Sequence, residues 1–147
     1  MVILSIKKDK RLFLPLLLLA DEQENVIENY LNRGELYALY DPDLRGACVL
    51  TDEGNDVFEL QNIAVFPDFQ RRGYGRALVN HVIASCRGRG KTLLVGTGES
   101  PVTLPFYKSC GFTFSHRIKD YMLTHYDHPV IDNGVQLLDK VYFSMKL

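Results

Sequence analysis

A glycine- and arginine-rich segment at residues 70–76, QRRGYGR, carries the clearest chemical signal in this chain. A strand-like run ends just before it, and a helical apolar pattern begins within it. Glycine lets the backbone turn tightly and leaves its N–H groups unobstructed. Those N–H groups lie at a helix N-terminus, where the helix dipole favours a phosphate, and Arg71, Arg72 and Arg76 add full positive charges. The segment therefore predicts a pyrophosphate site, with a plain glycine-containing turn and solvated arginines as the alternative.

Two other nucleotide-binding motifs are incomplete in this sequence. The dinucleotide fingerprint G-x-G-x-x-G requires a third glycine where the chain has Leu78. The triplet Gly90-Lys91-Thr92 is similar to the end of a P-loop, but the earlier glycine of that motif falls at Ser85. Neither motif therefore explains the anion site.

Hydrophobic periodicity and turn residues divide the chain into strands and helices around this segment. Predicted strands cover residues 2–7, 35–40, 46–51, 57–66, 92–95, 112–118 and 137–147. Predicted helices cover residues 10–19, 22–31, 73–87 and 103–110. Asp21 and Glu24 have the spacing of a capping box. Residues 119–136 are the least regular stretch, and such a stretch inside a compact domain is often functional. The order of elements predicts one mixed α/β domain over residues 1–147.

Composition and charge exclude several classes of protein. The chain has 147 residues, of which 46% are hydrophobic and 24% charged, and its net charge is −1. No overall field therefore draws it to nucleic acid or to an anionic membrane. The three cysteines are widely spaced and form neither a CxxC pair nor a zinc-ligand pattern, so we expect no metal site. The apolar run at residues 12–20 is too short to span a bilayer, and we expect a cytosolic protein with no membrane and no nucleic-acid partner.

Residues 70–75 resemble the acetyl-CoA signature of the GNAT family of N-acetyltransferases, commonly written Q/R-x-x-G-x-G/A. A second segment at residues 106–112, FYKSCGF, resembles the FY-x-x-x-GF helix-to-strand segment of the same family. Each motif alone is weak, whereas both in this order, with fitting elements between them, are specific. The resemblance implies an acetyl-CoA-dependent N-acetyltransferase in which acetyl-CoA is the acyl donor and no metal takes part.

The resemblance also implies an α/β fold of the α+β kind. It consists of a central, mixed but mostly antiparallel sheet of about seven strands flanked by about four helices, splayed open between the strands at 57–66 and 92–95. In such proteins the pantetheine arm lies in the splay and bonds to the backbone of the first strand, here Ile63, Ala64 and Val65. The implied pyrophosphate contacts are Gln70, Arg71, Arg72, Gly73, Tyr74, Gly75 and Arg76. Many members carry an asparagine that contacts the cofactor where this chain has the shorter Ser100.

Acetyl transfer to an amine requires loss of an amine proton, polarisation of the thioester carbonyl and protonation of the leaving thiolate. The resemblance implies that Tyr107 is the general acid, with a core aromatic residue as the alternative. Glu59 lies where several members keep a water-linked general base, and its neighbours Phe58 and Leu60 predict partial burial and a raised pKa. An exposed strand glutamate is the alternative. A backbone N–H, such as that of Ile63, is expected to polarise the carbonyl.

The expected acceptor is a primary amine of a small molecule or a peptide, and a protein lysine also stays open. Residues 119–136 contain the acidic and aromatic groups that suit a protonated amine, although a solvated loop explains them equally well. These groups are Asp120, Tyr121, His125, Tyr126, Asp127 and Asp132. Three alternatives stay open: a non-catalytic acyl-CoA-binding or sensor protein, transfer of a longer acyl group, and transfer to a hydroxyl. A homodimer is expected by analogy of fold alone.

Overall fold

A computed structural model describes residues 1–147 and has one large sheet flanked by helices. The sheet contains β1 (Val2–Ile6), β2 (Glu35–Tyr40), β3 (Leu44–Gly54), β4 (Val57–Val65), β5 (Thr92–Gly98), β6 (Thr113–Ile118) and β9 (Lys140–Lys146). A separate hairpin pairs β7 (Val130–Asp132) with β8 (Val135–Leu137). The helices are α1 (Leu14–Leu17), α2 (Glu24–Leu31), α3 (Tyr74–Cys86), α4 (Thr103–Ser109) and α5 (Tyr121–His125), with 3₁₀ turns at Lys10–Phe13 and Pro67–Phe69.

The strand order of the large sheet is β1-β2-β3-β4-β5-β9-β6. Only β4 and β5 run parallel, and every other neighbouring pair is antiparallel. The predicted fold class is therefore confirmed: a seven-stranded, mixed and mostly antiparallel sheet, here with five helices.

Two apolar cores lie on the two faces of this sheet. Helix α3 covers one face, where Leu78 and Val82 pack with Leu60 of β4. Helices α1 and α2 cover the other face, where Leu17 and Leu31 meet further strand residues. Because successive side chains of a strand point to opposite faces, β3 and β4 supply both cores. These two central strands are therefore held firmly from both sides.

The parallel pairing of β4 with β5 is short. It joins Val57–Leu60 to Thr92–Val95 and ends there, while β4 continues to Val65 and β5 to Gly98. On β4, Gln61 is an extra residue in the pairing with β3, which makes a β-bulge where the β5 pairing stops. A bulge bends its strand and increases the local twist. The two strands consequently diverge, and the predicted splay is confirmed.

Two glycines of β5 let neighbouring side chains cross the splayed end of this strand. A Cβ atom on Gly96 would clash with the side chains of Lys140 and Tyr142. A Cβ atom on Gly98 would clash with Leu137 at the end of β8. Glycine at both positions therefore brings Lys140 and Leu137 over β5.

Four local expectations differ from the structure. Residues 119–136 are not irregular but form α5 and the β7–β8 hairpin, whose Asn133-Gly134 turn has positive φ at both residues, as a tight two-residue hairpin requires. The last strand begins at Lys140 rather than at residue 137, because Leu137 belongs to β8.

The helix predicted at residues 10–19 is a 3₁₀ turn followed by the short helix α1. Pro15 occupies the first turn of α1, a position that proline tolerates because the N–H it lacks has no intrahelical partner there. The expected capping box is absent: α2 has no side-chain cap, and the carboxylate of Asp21 instead accepts hydrogen bonds from two tyrosines.

Phe143 and Phe114 provide a matched test of the core between β9 and β6. They are register partners on neighbouring strands, but Phe143 is 2% exposed and Phe114 is 58% exposed. We expect Phe143→Ala to lower the free energy of unfolding by about 3–5 kcal/mol, and Phe114→Ala to lower it by less than about 1 kcal/mol. Urea denaturation of both variants measures this difference, and equal losses would contradict the assigned core.

Candidate active site

The loop at residues 70–76 presents unpaired backbone N–H groups at the start of α3. Arg71 and Gly73 have φ values of 63° and 88°, which turn the chain sharply into the helix. The first hydrogen bond closed by the helix runs from the Ala77 N–H to the Gly73 carbonyl, so the N–H groups of residues 74–76 have no helical acceptor. Consecutive N–H groups in such a turn form a concave anion site. The local geometry suits a phosphate group.

The polar side chains of this loop fall into two groups. Arg71 and Arg72 are exposed, and Arg72 lies over the ring of Phe69 at 5.4 Å. Tyr74 and Arg76 are already engaged: the Tyr74 hydroxyl donates to Asp41 at 2.8 Å, and the Arg76 guanidinium donates to the hydroxyl and carbonyl of Ser109. Arg71 and Arg72 are therefore the cations most available to an anion, while Tyr74 and Arg76 brace the loop.

Gln70 holds the loop against the end of β4. Its side-chain nitrogen donates to the carbonyl of Val65 at 3.0 Å. Through β4, the loop is continuous with Ile63, Ala64 and Val65, which lie beyond the last pair with β5. On the splay side these residues have no strand partner. Their backbone edge can bond an extended ligand as an added strand would.

A cavity of about 370 Å³ opens at the splay. One wall is β4 at Leu60–Ile63, and the opposite wall is β5 at Gly96–Gly98. The remaining walls come from the connection between α1 and α2, from α2 and the following Arg33, from Ser100 and α4, and from residues 121–140. The cavity therefore combines the strand edges with the segment predicted to bind the acceptor.

Tyr107 lines this cavity from α4. Its side chain packs edge-to-face against Phe106 and Phe112, and the residue is 5% exposed. The hydroxyl makes no hydrogen bond to the protein. Burial raises the pKa of Tyr107 above its ordinary value, so the phenol keeps its proton at neutral pH and can donate it to a ligand.

Glu59 is buried on β4, at 7% exposure, but it does not line the cavity. Its carboxylate lies 3.9 Å from the ammonium of Lys140, which does line it. Burial raises the pKa of Glu59, and the nearby Lys140 partly opposes that rise. Lys140 also lies over the rings of Tyr121 and Tyr142, at 4.7 and 4.9 Å. The pair thus forms a low-exposure charge site at the edge of the cavity.

Ser100 is buried, and its hydroxyl makes three hydrogen bonds within the protein. Its hydroxyl donates to the Asp132 carboxylate and accepts from the N–H groups of Val102 and Thr103 at the start of α4. Ser100 also lines the cavity. Here it joins α4 to the β7–β8 hairpin, a role that the sequence did not indicate.

The acceptor residues predicted in segment 119–136 separate into two groups. Tyr121, Tyr126 and Asp132 line the cavity, whereas Asp120, His125 and Asp127 are outside its lining. His125 stacks on Tyr121 with ring centroids 3.7 Å apart. Asp127 is largely in solvent, with a side chain that is 82% exposed.

Sequence reasoning missed many polar side chains of the cavity, and five of them bear on its chemistry. They are Asp21, Glu22, Tyr30, Asn62 and Lys140. They come from four separate parts of the chain that only the fold brings together. The one sequence signal was Asp21-Glu22 directly after the apolar run, and it was interpreted as the start of a helix.

Asn62 is the least satisfied of these residues. Its amide nitrogen donates to the Leu17 carbonyl and to the Tyr30 hydroxyl, each at 3.0 Å. Its amide oxygen is buried and has no hydrogen-bond partner. Such an unpaired acceptor costs about 1–3 kcal/mol, and unpaired groups of this kind are rare in folded proteins. A ligand that donates a hydrogen bond here would remove that cost.

None of the helices combines the length and the apolar composition needed to cross a membrane.

Comparison with known proteins agrees with this geometry. The model of the acetyltransferase (GNAT) family matches residues 7–112. The uncharacterized N-acetyltransferase YvbK of Bacillus subtilis (strain 168) is 37% identical over 135 residues, covering 90% of this chain and 87% of that protein. The chain belongs to the GNAT family of acetyltransferases.

A solved structure and a second relative extend the comparison. A GNAT family acetyltransferase from Elizabethkingia anophelis, with acetyl-CoA bound, superposes with a TM-score of 0.93 at 32% identity, covering 99% of this chain and 97% of that one. The ribosomal-protein-bS18-alanine N-acetyltransferase of Salmonella typhimurium (strain LT2) is 35% identical over 102 residues, which cover 66% of this chain and 69% of that protein. The predicted family and fold are confirmed.

The raised pKa of Glu59 predicts a specific pH dependence of stability. The folded protein holds this proton more tightly than the unfolded chain, so stability falls as pH rises from near 4.5, the ordinary value, through the higher folded pKa. Glu59→Gln keeps the size of the side chain and removes the titration. We expect the stability of this variant relative to wild type to increase with pH over that interval, as measured by urea unfolding at a series of pH values.

Glu53→Gln is the matched control, because Arg33 lowers the pKa of Glu53. The wild type should gain stability relative to this variant as pH rises toward 4.5, the opposite slope. A stability difference between Glu59→Gln and wild type that does not change with pH would contradict the raised pKa of Glu59.

Proposed function

We propose that this protein transfers the acetyl group of acetyl-CoA to a primary amine of a small molecule or a peptide. The observation that carries the proposal is Tyr107, which lines the cavity at the splay and whose hydroxyl makes no hydrogen bond to the protein and keeps its proton, because burial raises its pKa. The anion-binding loop at residues 70–76 and the unpaired edge of β4 support acetyl-CoA as the donor. The acetyl-CoA-bound relative, at 32% identity, supports it further.

The proposed cofactor contacts lie along the unpaired edge of β4 and at the N-terminus of α3. The backbone of Ile63, Ala64 and Val65 would bond the pantetheine amides along the splay. The N–H groups of residues 74–76 would bind the pyrophosphate, with Arg71 and Arg72 adding charge and Gln70, Gly73 and Gly75 shaping the turn. Ser100 is proposed to border the cofactor without a strong bond to it, because Asp132 and the start of α4 already use its hydroxyl.

Bound acetyl-CoA supplies a thioester carbonyl for attack by the amine and a thiolate as the leaving group. Tyr107 gives its proton to the sulfur as the carbon–sulfur bond breaks, so the leaving group departs as the neutral thiol. Glu59 receives a proton from the substrate ammonium through water near Lys140 before the neutral nitrogen attacks, and the second proton that the nitrogen loses as the amide forms passes to solvent. The Ile63 N–H stabilises the negative charge on the carbonyl oxygen. Solvent then returns a proton to Tyr107.

A non-catalytic acyl-CoA-binding protein is the second candidate. The observation that favours it is the position of Glu59, which is outside the cavity lining and paired with Lys140. In that case the loop and the splay would bind the acyl-CoA, and Tyr107 would serve packing alone.

Tyr107→Phe separates the two candidates. The hydroxyl makes no hydrogen bond to the protein, so its removal should leave both the unfolding temperature and acetyl-CoA affinity close to wild type. In an enzyme, loss of the general acid should lower kcat by roughly 100-fold. Steady-state release of free CoA thiol, measured with a panel of primary amines, gives the rate.

Tyr37→Phe is the matched control for this substitution. The Tyr37 hydroxyl bonds Glu35 and Ser85, and the residue does not line the cavity. This variant should lose about 0.5–1.5 kcal/mol of stability and keep its kcat. If wild type and Tyr107→Phe have equal kcat values, Tyr107 is not the general acid.

The cofactor assignment has its own test by isothermal titration with acetyl-CoA. Arg72→Ala should weaken binding about tenfold or more, because a hydrogen bond between charged groups contributes about 1.5–3 kcal/mol. Arg87→Ala, an exposed arginine at the other end of α3, should leave the affinity close to wild type. If folded wild-type protein binds neither acetyl-CoA nor CoA, the proposed function is wrong.

Three expectations from the sequence stay predictions. They are a single catalytic domain over residues 1–147, a homodimer and a cytosolic location.

A further inference from the structure

Asp21 is held between two tyrosine hydroxyls at the wall of the cavity. Tyr30 donates to one carboxylate oxygen at 2.8 Å, and Tyr126 donates to the other at 2.5 Å. Burial, followed by the charge of Asp21, raises the pKa of both tyrosines. The three residues come from the α1–α2 connection, from α2 and from the end of α5. We call Asp21, Tyr30 and Tyr126 the carboxylate clamp.

The clamp carries a negative charge that no protein cation neutralises. The two cations that line the cavity are already paired: Arg33 with Glu53 at 2.7 Å and Lys140 with Glu59 at 3.9 Å. Asp21 makes no ion pair and is stabilised by hydroxyl donors alone. Each of its oxygens retains a lone pair for a further donor. A cationic group of a ligand is the natural partner.

Asn62 supplies a second, independent sign of a ligand beside the clamp. It lines the same cavity and is 5% exposed, and its amide oxygen is buried without a partner. Its amide nitrogen also donates to the Tyr30 hydroxyl, so Asn62 and the clamp form one connected network. The orientation of this amide is fixed, because the Leu17 carbonyl that it meets can only accept. An acceptor is therefore left over at the point where the clamp meets β4.

The clamp does not suit the reacting amine itself. That nitrogen must lose its proton before it attacks, and an unneutralised carboxylate next to it would favour the charged form. The same carboxylate favours a cation that keeps its charge throughout the reaction. Asp21 is also separated from β4 by the Tyr30 hydroxyl and Asn62, which leaves room for the reacting group at the splay.

We propose that the carboxylate clamp is a subsite for a second, non-reacting cationic group of the acceptor, and that Asp21 determines this specificity. The acceptor class is then a primary amine that carries a further ammonium or guanidinium group a few bonds away. Asn62 accepts a hydrogen bond from the same molecule between its two ends. This inference rests on the proposed function for the identity of the reacting end.

The test compares two ligands that differ by one charge, 1,4-diaminobutane and n-butylamine. Their binding to the protein saturated with CoA is measured by isothermal titration, and their acetylation by release of free CoA thiol. We expect wild type to bind the diamine at least about tenfold more tightly, and to prefer it similarly in kcat/KM after correction for its two reactive ends.

Asp21→Asn should abolish this preference, because it removes the charge and keeps the shape of the side chain. Asp127→Asn is the control, since it removes one charge next to Tyr126 from a side chain that is 82% exposed, and it should keep the full preference. Retained acetyl-CoA binding shows that the Asp21→Asn variant is folded. The wild-type comparison of the two amines needs no variant.

The outcomes separate the subsite from the proposed function. If the diamine binds in a way that depends on Asp21 but no acetyl group is transferred, the result supports the subsite and contradicts the proposed function. Acetylation of both amines at equal kcat/KM, with equal affinities, keeps the proposed function and overturns the subsite. A preference for the diamine that survives in Asp21→Asn also overturns it.

Discussion

The site depends on the point at which β4 and β5 stop pairing. These are the only parallel neighbours in the sheet, and their pairing ends at Leu60 and Val95. If the parallel pairing continued, the backbone N–H and C=O groups of both strands would bond each other, and no free strand edge would be left for a ligand. The bulge at Gln61 turns β4 away, and the apolar core under α3, to which both strands contribute, holds them in this arrangement. One extra residue in a strand thus creates the cavity.

Charge is distributed unevenly around this gap. On the side of β9, Lys140 neutralises Glu59 where both are largely buried, and the tyrosine rings around the ammonium lower the cost of taking it out of water. This position of Lys140 requires glycine at residue 96, because a Cβ atom there would clash with the Lys140 side chain. On the side of α2, the carboxylate of Asp21 is stabilised by hydroxyls alone. The cavity therefore has one end where the charges are paired and one end with a carboxylate that has no ion-pair partner.

The sequence indicated the features of the candidate site whose signal is local. The anion loop is seven consecutive residues, and glycine at position 73 is needed because φ there is 88°. Tyr107 was found through a motif that spans a helix and the following strand. Asp21 and Asn62 were missed because they meet only after the α1–α2 connection packs against β4. The β7–β8 hairpin was missed although Asn133-Gly134 is a strong turn signal, because strands of three residues show no clear alternation.

The hydrogen bond between Ser100 and Asp132 joins the helix that carries the proposed general acid to the hairpin that forms the proposed acceptor wall. Ser100 fixes the start of α4, the helix that carries Tyr107, and Asp132 belongs to the hairpin that forms the acceptor wall. A longer asparagine at position 100 would push the hairpin outward or lose the bond to Asp132, since the residue is 2% exposed. Serine is too short to extend far toward the proposed cofactor. Its hydrogen bonds instead fix the distance between α4, which carries the proposed general acid, and the β7–β8 hairpin, which is the proposed acceptor wall. In the proposed mechanism, the alignment of the amine with Tyr107 then depends on a partly buried hydrogen bond.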